Sequence, residues 1–253
     1  MKKLACLIIF VFVSVMAAQA NIDPSNIAGT WLFDEGSGDV AADSSGNGND
    51  GVVDGATWTN GKFGGGLLFE DAGGVAIESA GMLQVGDQLT IMAYFSAQVL
   101  DDWHQLIAKD GEYLLRIDPP SEGGNMSSFF NLDSGWEPRS SAGVPGVDTW
   151  THFAAAYSSA DGKLRTFVNG VLITETERVG APNPGDAPVT IGHWNDGNNF
   201  VGVIDEVAIF DVALSEADIK SIVDNGLVAA LGLDGPASVK PSDKVTTTWG
   251  DLK

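Results

Sequence analysis

Trp150-Thr-His-Phe-Ala-Ala-Ala-Tyr157, then Ser158-Ser-Ala-Asp-Gly-Lys163, Leu164-Arg-Thr-Phe-Val168, Asn169-Gly170 and Val171-Leu-Ile-Thr-Glu-Thr176 form the stretch from which the fold is read. Three apolar runs of strand length are separated by Asp161-Gly162 and Asn169-Gly170. Both dipeptides accept the positive φ angles that tight hairpin turns require, so the segment is expected to be three consecutive antiparallel strands.

The same pattern extends outward. Upstream, Gln88 to Ser96 and His104 to Lys109 read as strands, and Asp110-Gly111 turns into Glu112 to Ile117. Downstream, Pro188 to His193 precedes a late strand, Ile204 to Phe210. With 32 glycines the chain is punctuated almost throughout, which is the signature of an antiparallel sandwich rather than of alternating strands and helices. One helix is expected, Glu216 to Asn225, with Ser215 as its cap, Asp218 completing a capping box and Gly226 closing it. The segment from Pro119 to Val147 is rich in Gly and Ser and yields no element, and there is no repeat of fixed period.

At the N-terminus, Lys2 and Lys3 precede an apolar run from Leu4 to Ala18, and Ala18-Gln19-Ala20 is a small-x-small site. This reads as a secretory leader over residues 1–20, followed by one domain over 21–227 and a C-terminal tail over 228–253 of unassigned role, polar from Asp234 onward. The run is too short to span a membrane, and nothing else approaches ~18 consecutive apolar residues. Cys6, the single cysteine, lies within the leader, so no disulfide is expected afterwards and stability must come from core burial or bound metal. The chain has 13 basic and 34 acidic residues, a formal net charge of −21. That balance argues against nucleic acid and anionic membranes as partners, and favours divalent cations, neutral sugars or basic partners.

Several segments are similar to laminin-G-like domains of the concanavalin-A-like lectin/glucanase superfamily. Trp150-Thr-His-Phe-Ala with Gly162-Lys-Leu-Arg-Thr-Phe-Val-Asn-Gly-Val-Leu172 resembles that family's central hairpin. Val203-Ile-Asp-Glu-Val-Ala-Ile-Phe-Asp-Val-Ala-Leu-Ser215 resembles its closing strand and helix entry. A third match is the opening Trp31-Leu-Phe-Asp-Glu-Gly-Ser-Gly38 with Asp43-Ser-Ser-Gly-Asn-Gly48. The resemblance implies an all-β, two-layer antiparallel jelly roll. Tyr94-Phe95 replaces an early tryptophan of the family pattern. Members divide among carbohydrate binding, protein adhesion and accessory roles, so the fold alone does not name a ligand.

Oxygen donors crowd the opening loop. Strand alternation places Asp205 with Val203, Val207 and Ile209, and Glu206 with Ile204, Ala208 and Phe210 on the other face. A buried carboxylate among apolar residues needs a compensating partner. First and last strands often adjoin in a jelly roll, so a structural calcium ion is expected from Asp205 with Asp34, Asp43, Asn47 and Asn49. The competing reading has Asp43, Asn47 and Asn49 capping turns, with Asp205 bonded to backbone amides. Zinc is not expected from three scattered histidines and no thiol. Catalysis is not expected either. A retaining glycosidase needs two carboxyl groups roughly 5–5.5 Å apart, and no Glu-x-Asp-x-x-Glu run or Gly-x-Ser-x-Gly elbow occurs.

A ligand surface should use loop aromatics that stack on sugar faces. The candidates are Trp103, His104, Trp136, His193, Trp194 and Asn195; Trp31, Trp58 and Trp150 read as core, and His152 as a satisfied structural histidine. The expected function is an exported, non-catalytic recognition module, calcium-stabilised and glycan-binding. The alternatives are an adhesion domain for an extracellular protein and a hydrolase of the same fold.

Overall fold

The computed structural model describes residues 22–70, 73–78, 81–193 and 198–233. Residues 1–20, read from the sequence as a leader, residues 234–253 of the expected tail, and Trp194 and Asn195 lie outside the described residues. In chain order the strands are β1 (Ile27–Trp31), β2 (Val40–Ala41), β3 (Gly51–Asp54), β4 (Thr57–Asn60), β5 (Gly65–Phe69), β6 (Gly74–Ile77), β7 (Gln88–Ala97) and β8 (His104–Lys109). They continue with β9 (Tyr113–Ile117), β10 (Met126–Phe130), β11 (Ser140–Ser141), β12 (Thr151–Ser158), β13 (Lys163–Val168), β14 (Val171–Glu177), β15 (Val189–Ile191) and β16 (Gly202–Phe210), followed by the helix α1 (Glu216–Leu231).

Two antiparallel sheets form a sandwich. The first runs β14-β13-β12-β7-β16-β5-β4, with β1 also pairing β16; the second runs β11-β10-β9-β8-β15-β6-β3-β2. The central hairpins form as their turn dipeptides require, and Asn169 (φ 50°) and Gly170 (φ 79°) both adopt positive φ between β13 and β14. Inward side chains alternate along each strand and fill the inter-sheet core: Trp31, Phe69, Phe95, Tyr113, Phe130, Phe153 and Phe200 are all fully buried there. Each such side chain contributes roughly 1.5–3 kcal/mol of burial.

A second core lies behind the first sheet. Met92, Ala154, Ala156, Phe167, Ala208 and Phe210 face outward from it and pack against Ile219, Ile222 and Leu227 of α1. Alanines at 154, 156 and 208 leave room for the helix to approach the sheet. Ser215 and Asp218 form the expected capping box, but the helical run does not end at Asn225. It breaks at Gly226 (φ 78°, ψ 164°), resumes to Leu231 and is closed by Gly232. Leu227 and Ala230 are buried in this second core, so packing continues beyond residue 227.

Two further departures matter. The stretch that yielded no element carries β10 and β11. One of its serines is interior: Ser128 Oγ meets Thr166 Oγ1 of the opposite sheet at 2.8 Å, so apolar periodicity was masked by a polar pair inside the sandwich. In β16 the register with β7 shifts between Asp205 and Ala208, and Glu206 sits at φ 50°. This bulge resets the alternation. Ile204, Val207 and Ile209 share the inter-sheet core, and Ala208 and Phe210 face α1.

Candidate ligand-binding face

The proposed cation ligands gather in two places rather than one. In the first, Asp43 ties the opening loop to β1: its Oδ1 accepts from Thr30 N (3.0 Å) and Ser45 N (2.9 Å), and its Oδ2 from Asn49 N (3.0 Å). The Asn47 amide donates to Ile27 O (2.6 Å) and the Asn49 amide to Ala28 O (2.8 Å). Burial raises the pKa of neighbouring Glu35, with Asp34 and Asp50 adding to the effect. In the second place, Asp34 and Asp205 hold the turn between β4 and β5. Asp34 Oδ1 accepts from Gly65 N at 2.6 Å. Asp205 Oδ2 accepts from Lys62 N (2.7 Å) and Phe63 N (2.8 Å), and its Oδ1 from Glu206 N (2.6 Å).

These carboxylates therefore already accept from backbone N–H groups, and Asn47 and Asn49 use their side chains as donors. The predicted ligand set is thus divided between two places in the fold. Among the described residues no three His, Cys, Asp or Glu side chains form a metal-holding group.

The bulge also changes the relation between Asp205 and Glu206. Alternation predicts opposite faces, yet both carboxylates lie on the side covered by α1. Asp205 stands opposite Tyr94, whose hydroxyl donates to Val223 O at 2.9 Å, and Glu206 Oε2 accepts from Leu227 N just after the helix break. Burial pushes Asp205 up to about 8 against its amide donors, and Glu206 up to about 7 with the nearby Asp34 charge assisting. Tyr94 also meets the His152 ring edge-on at 4.9 Å. His152 is fully buried with neither ring nitrogen hydrogen bonded, so it is not the satisfied histidine expected, and burial pulls its pKa down to about 3.

The candidate ligand side chains collect elsewhere, on the outer face of the second sheet. In β9, Tyr113, Leu115 and Ile117 point into the core, leaving Leu114 and Arg116 outward. Register places Leu114 between Ala108 of β8 and Phe129 of β10, and Arg116 between Gln105 and Ser127. Trp136 packs on the Ala108–Leu114–Phe129 patch. The Arg116 guanidinium is sandwiched, 4.0 Å from the Trp103 ring centre and 4.4 Å from that of Phe129. Arg139 lies over the other side of this patch, 5.3 Å from Phe129. Further along the same face, Val52, Asp54, Gly73, Gly74, Ala76, His193 and Asn199 line a cleft of about 490 Å³.

Trp103, Trp136 and His193, separate in sequence, thus come to one face. His104 does not join them as an exposed contact: it is buried, and its Nδ1 meets Asn199 O at 2.9 Å, tying the Trp103 loop to the 198–200 segment. Sequence reasoning missed Arg116, Phe129 and Arg139. Arg116 carried a signal, a lone cation within the apolar run Tyr113-Leu-Leu-Arg-Ile117; Phe129 and Arg139 lay in the unassigned loop.

A laminin-G family model described as the concanavalin A-like lectin/glucanases superfamily matches residues 69–220, and the chain belongs to that superfamily. No curated protein matches it. Among solved structures it is similar to the binding domain of Paraclostridial Mosquitocidal Protein 1, with a TM-score of 0.67 and 12% identity over 79% of this chain and 52% of that one. It is also similar to domain 4 of a GH43 extracellular arabinanase from Geobacillus stearothermophilus, solved in complex with arabinotriose, with a TM-score of 0.61 and 20% identity over 81% of this chain and 100% of that one. A third similar structure is the binding domain of botulinum neurotoxin DC in complex with SialylT, with a TM-score of 0.62 and 12% identity over 80% and 51%. The chain spans about half the length of the two toxin domains. At these identities the likeness establishes the jelly roll alone.

Proposed function

We propose that the protein is an exported, non-catalytic carbohydrate-binding module whose ligand lies across the outer face of the second sheet. The observation that carries this reading is the convergence of Trp103 and Trp136 on one patch, braced by Arg116 and Phe129 and continuous with the His193 cleft. Rigid aromatic rings on a flat sheet suit the apolar faces of sugar rings, and the surrounding polar groups suit their hydroxyls. The arabinotriose-bound domain shows that this architecture accommodates oligosaccharides in a similar protein. A binding role is further supported by the condition of Asp205 and Glu206. Both are turned under α1 and engaged by backbone amides rather than open to a substrate.

Calorimetric titration with neutral oligosaccharides, for the wild type and for Trp103→Ala and Trp136→Ala, tests the assignment. Each variant is expected to weaken binding about tenfold or more, the equivalent of ~1.4 kcal/mol. Full affinity in both variants would move the ligand off this face. A protein partner is the competing reading. It is favoured by the exposed apolar side chains Val171, Ile173 and Val179 along and just beyond the edge strand β14.

A further inference from the structure

Resting on that reading, we infer that the face selects uncharged glycans and that its two arginines serve as scaffold rather than as anion readers. Exposed arginines beside aromatic rings would ordinarily suggest a sugar carboxylate or sulfate, which a guanidinium fork grips in two-point fashion. Here each guanidinium is already committed to carboxylates of the protein itself. Arg116 Nε donates to Asp118 Oδ1 at 2.7 Å, and Arg139 Nη1 donates to Asp118 Oδ2 at 3.2 Å and to Glu122 Oε2 at 2.8 Å. Arg139 Nε lies 3.4 Å from Glu137 Oε1. Asp118 is itself buried and fixed by Ser127 Oγ at 2.6 Å, so it cannot swing aside for an incoming anion.

Arg116 also packs against the Trp103 and Phe129 rings. Two cations are therefore set against three carboxylates within the network. Asp101 and Asp102 flank Trp103, and Asp54 lines the cleft. An anionic sugar would meet repulsion from these carboxylates, and guanidinium groups whose charge they already offset. Gln105, in register opposite Arg116 and fully buried, adds no charge beneath this face.

The test is titration of the whole chain with neutral arabino-, xylo- and manno-oligosaccharides, and in parallel with oligogalacturonides and sialyllactose. At least one neutral series is expected to bind, with the anionic probes at least about tenfold weaker. Glu122→Gln combined with Glu137→Gln, both on partly exposed side chains, uncovers the Arg139 fork and is expected to narrow that gap while leaving neutral binding unchanged. An anionic probe bound as tightly as the neutral ones, and lost in Arg139→Gln, would overturn the inference and leave the carbohydrate reading standing. A gap unmoved by the double variant would also overturn it. Binding of no glycan of either kind would instead remove the reading on which it rests.

Discussion

Asp205 accepts three backbone N–H groups on two oxygens in a site with no exposure to solvent. Truncation to alanine strands the Lys62 and Phe63 amides, each stranded donor costing about 1–3 kcal/mol, so Asp205→Ala is expected to lower the thermal midpoint sharply. The pair Asp205 and Glu206 also sets a pH dependence. Their folded pKa values, about 8 and about 7, stand above those of an unfolded carboxyl group. The folded state therefore holds protons that the unfolded state has released, and the stability they contribute is lost as pH rises through 7 to 8. Melting followed from pH 5 to 8 should show that fall, and Asp205→Asn should flatten it. His152 acts in the opposite sense at lower pH: its depressed pKa means stability is lost as pH falls from its usual range toward 3. Because neither of its nitrogens has a partner, His152→Leu is expected to preserve or raise the midpoint at neutral pH, and a drop would reveal a bonded water or other partner. At this scale the sequence showed that Asp205 is buried among apolar residues, but neither the direction of the Asp205–Glu206 pair nor the burial of Glu112 and Asp118. Alternation has no way to register the inserted residue at Asp205–Glu206.

Elements were legible wherever turn chemistry was local. The hairpins from β12 to β14 follow from Asp161-Gly162 and Asn169-Gly170, and the helix start follows from Ser215 and Asp218. β10 and β11 were not legible, because Ser127, Ser128, Ser140 and Ser141 read as loop composition although Ser128 pairs with Thr166 inside the sandwich and Ser127 with Asp118 and Ser141 on its outer face. The far end of α1 was misjudged for a physical reason. Gly226 does interrupt the helix, but Glu206 accepts the next amide, from Leu227, and the chain resumes its turn over the sheet. Gly64, at φ 72°, is bound more tightly still, since an added Cβ would collide with Asp34 Oδ1. Gly64→Ala is expected to cost more than ~1 kcal/mol, against about 1 kcal/mol for loss of the helix cap in Ser215→Ala. Chemical denaturation of both variants orders the two effects, and a milder Gly64→Ala would show that the β4–β5 turn can relax.

For the molecule as a whole, the carboxylates proposed as cation ligands already accept backbone amides, so the fold is expected to hold without the ion. Melting in EDTA and then in excess calcium is expected to give one midpoint; a calcium-dependent rise abolished by Asp43→Ala would restore the ion. Charge has a second global consequence. With a net charge of −21, a neutral ligand should bind almost independently of ionic strength, whereas any residual association with anionic chains should strengthen as salt screens the repulsion. Affinity measured across a tenfold range of salt separates the two.

β16 lies at the centre of the first sheet and joins β7, β5 and β1, yet among the described residues it is the last strand made. Until residue 210 is synthesised, β4–β5 and β7–β12–β13–β14 are separate patches, and β1 has no strand to pair with. Assembly therefore runs against the order of synthesis: local hairpins zip early, and the sheet closes in one late event of long loop closure. Such a topology belongs to the slow end of single-domain kinetics, roughly milliseconds to seconds. A nascent chain halted before Gly202 would expose the unpaired flanks of β7 and β5 to whatever chaperone meets it.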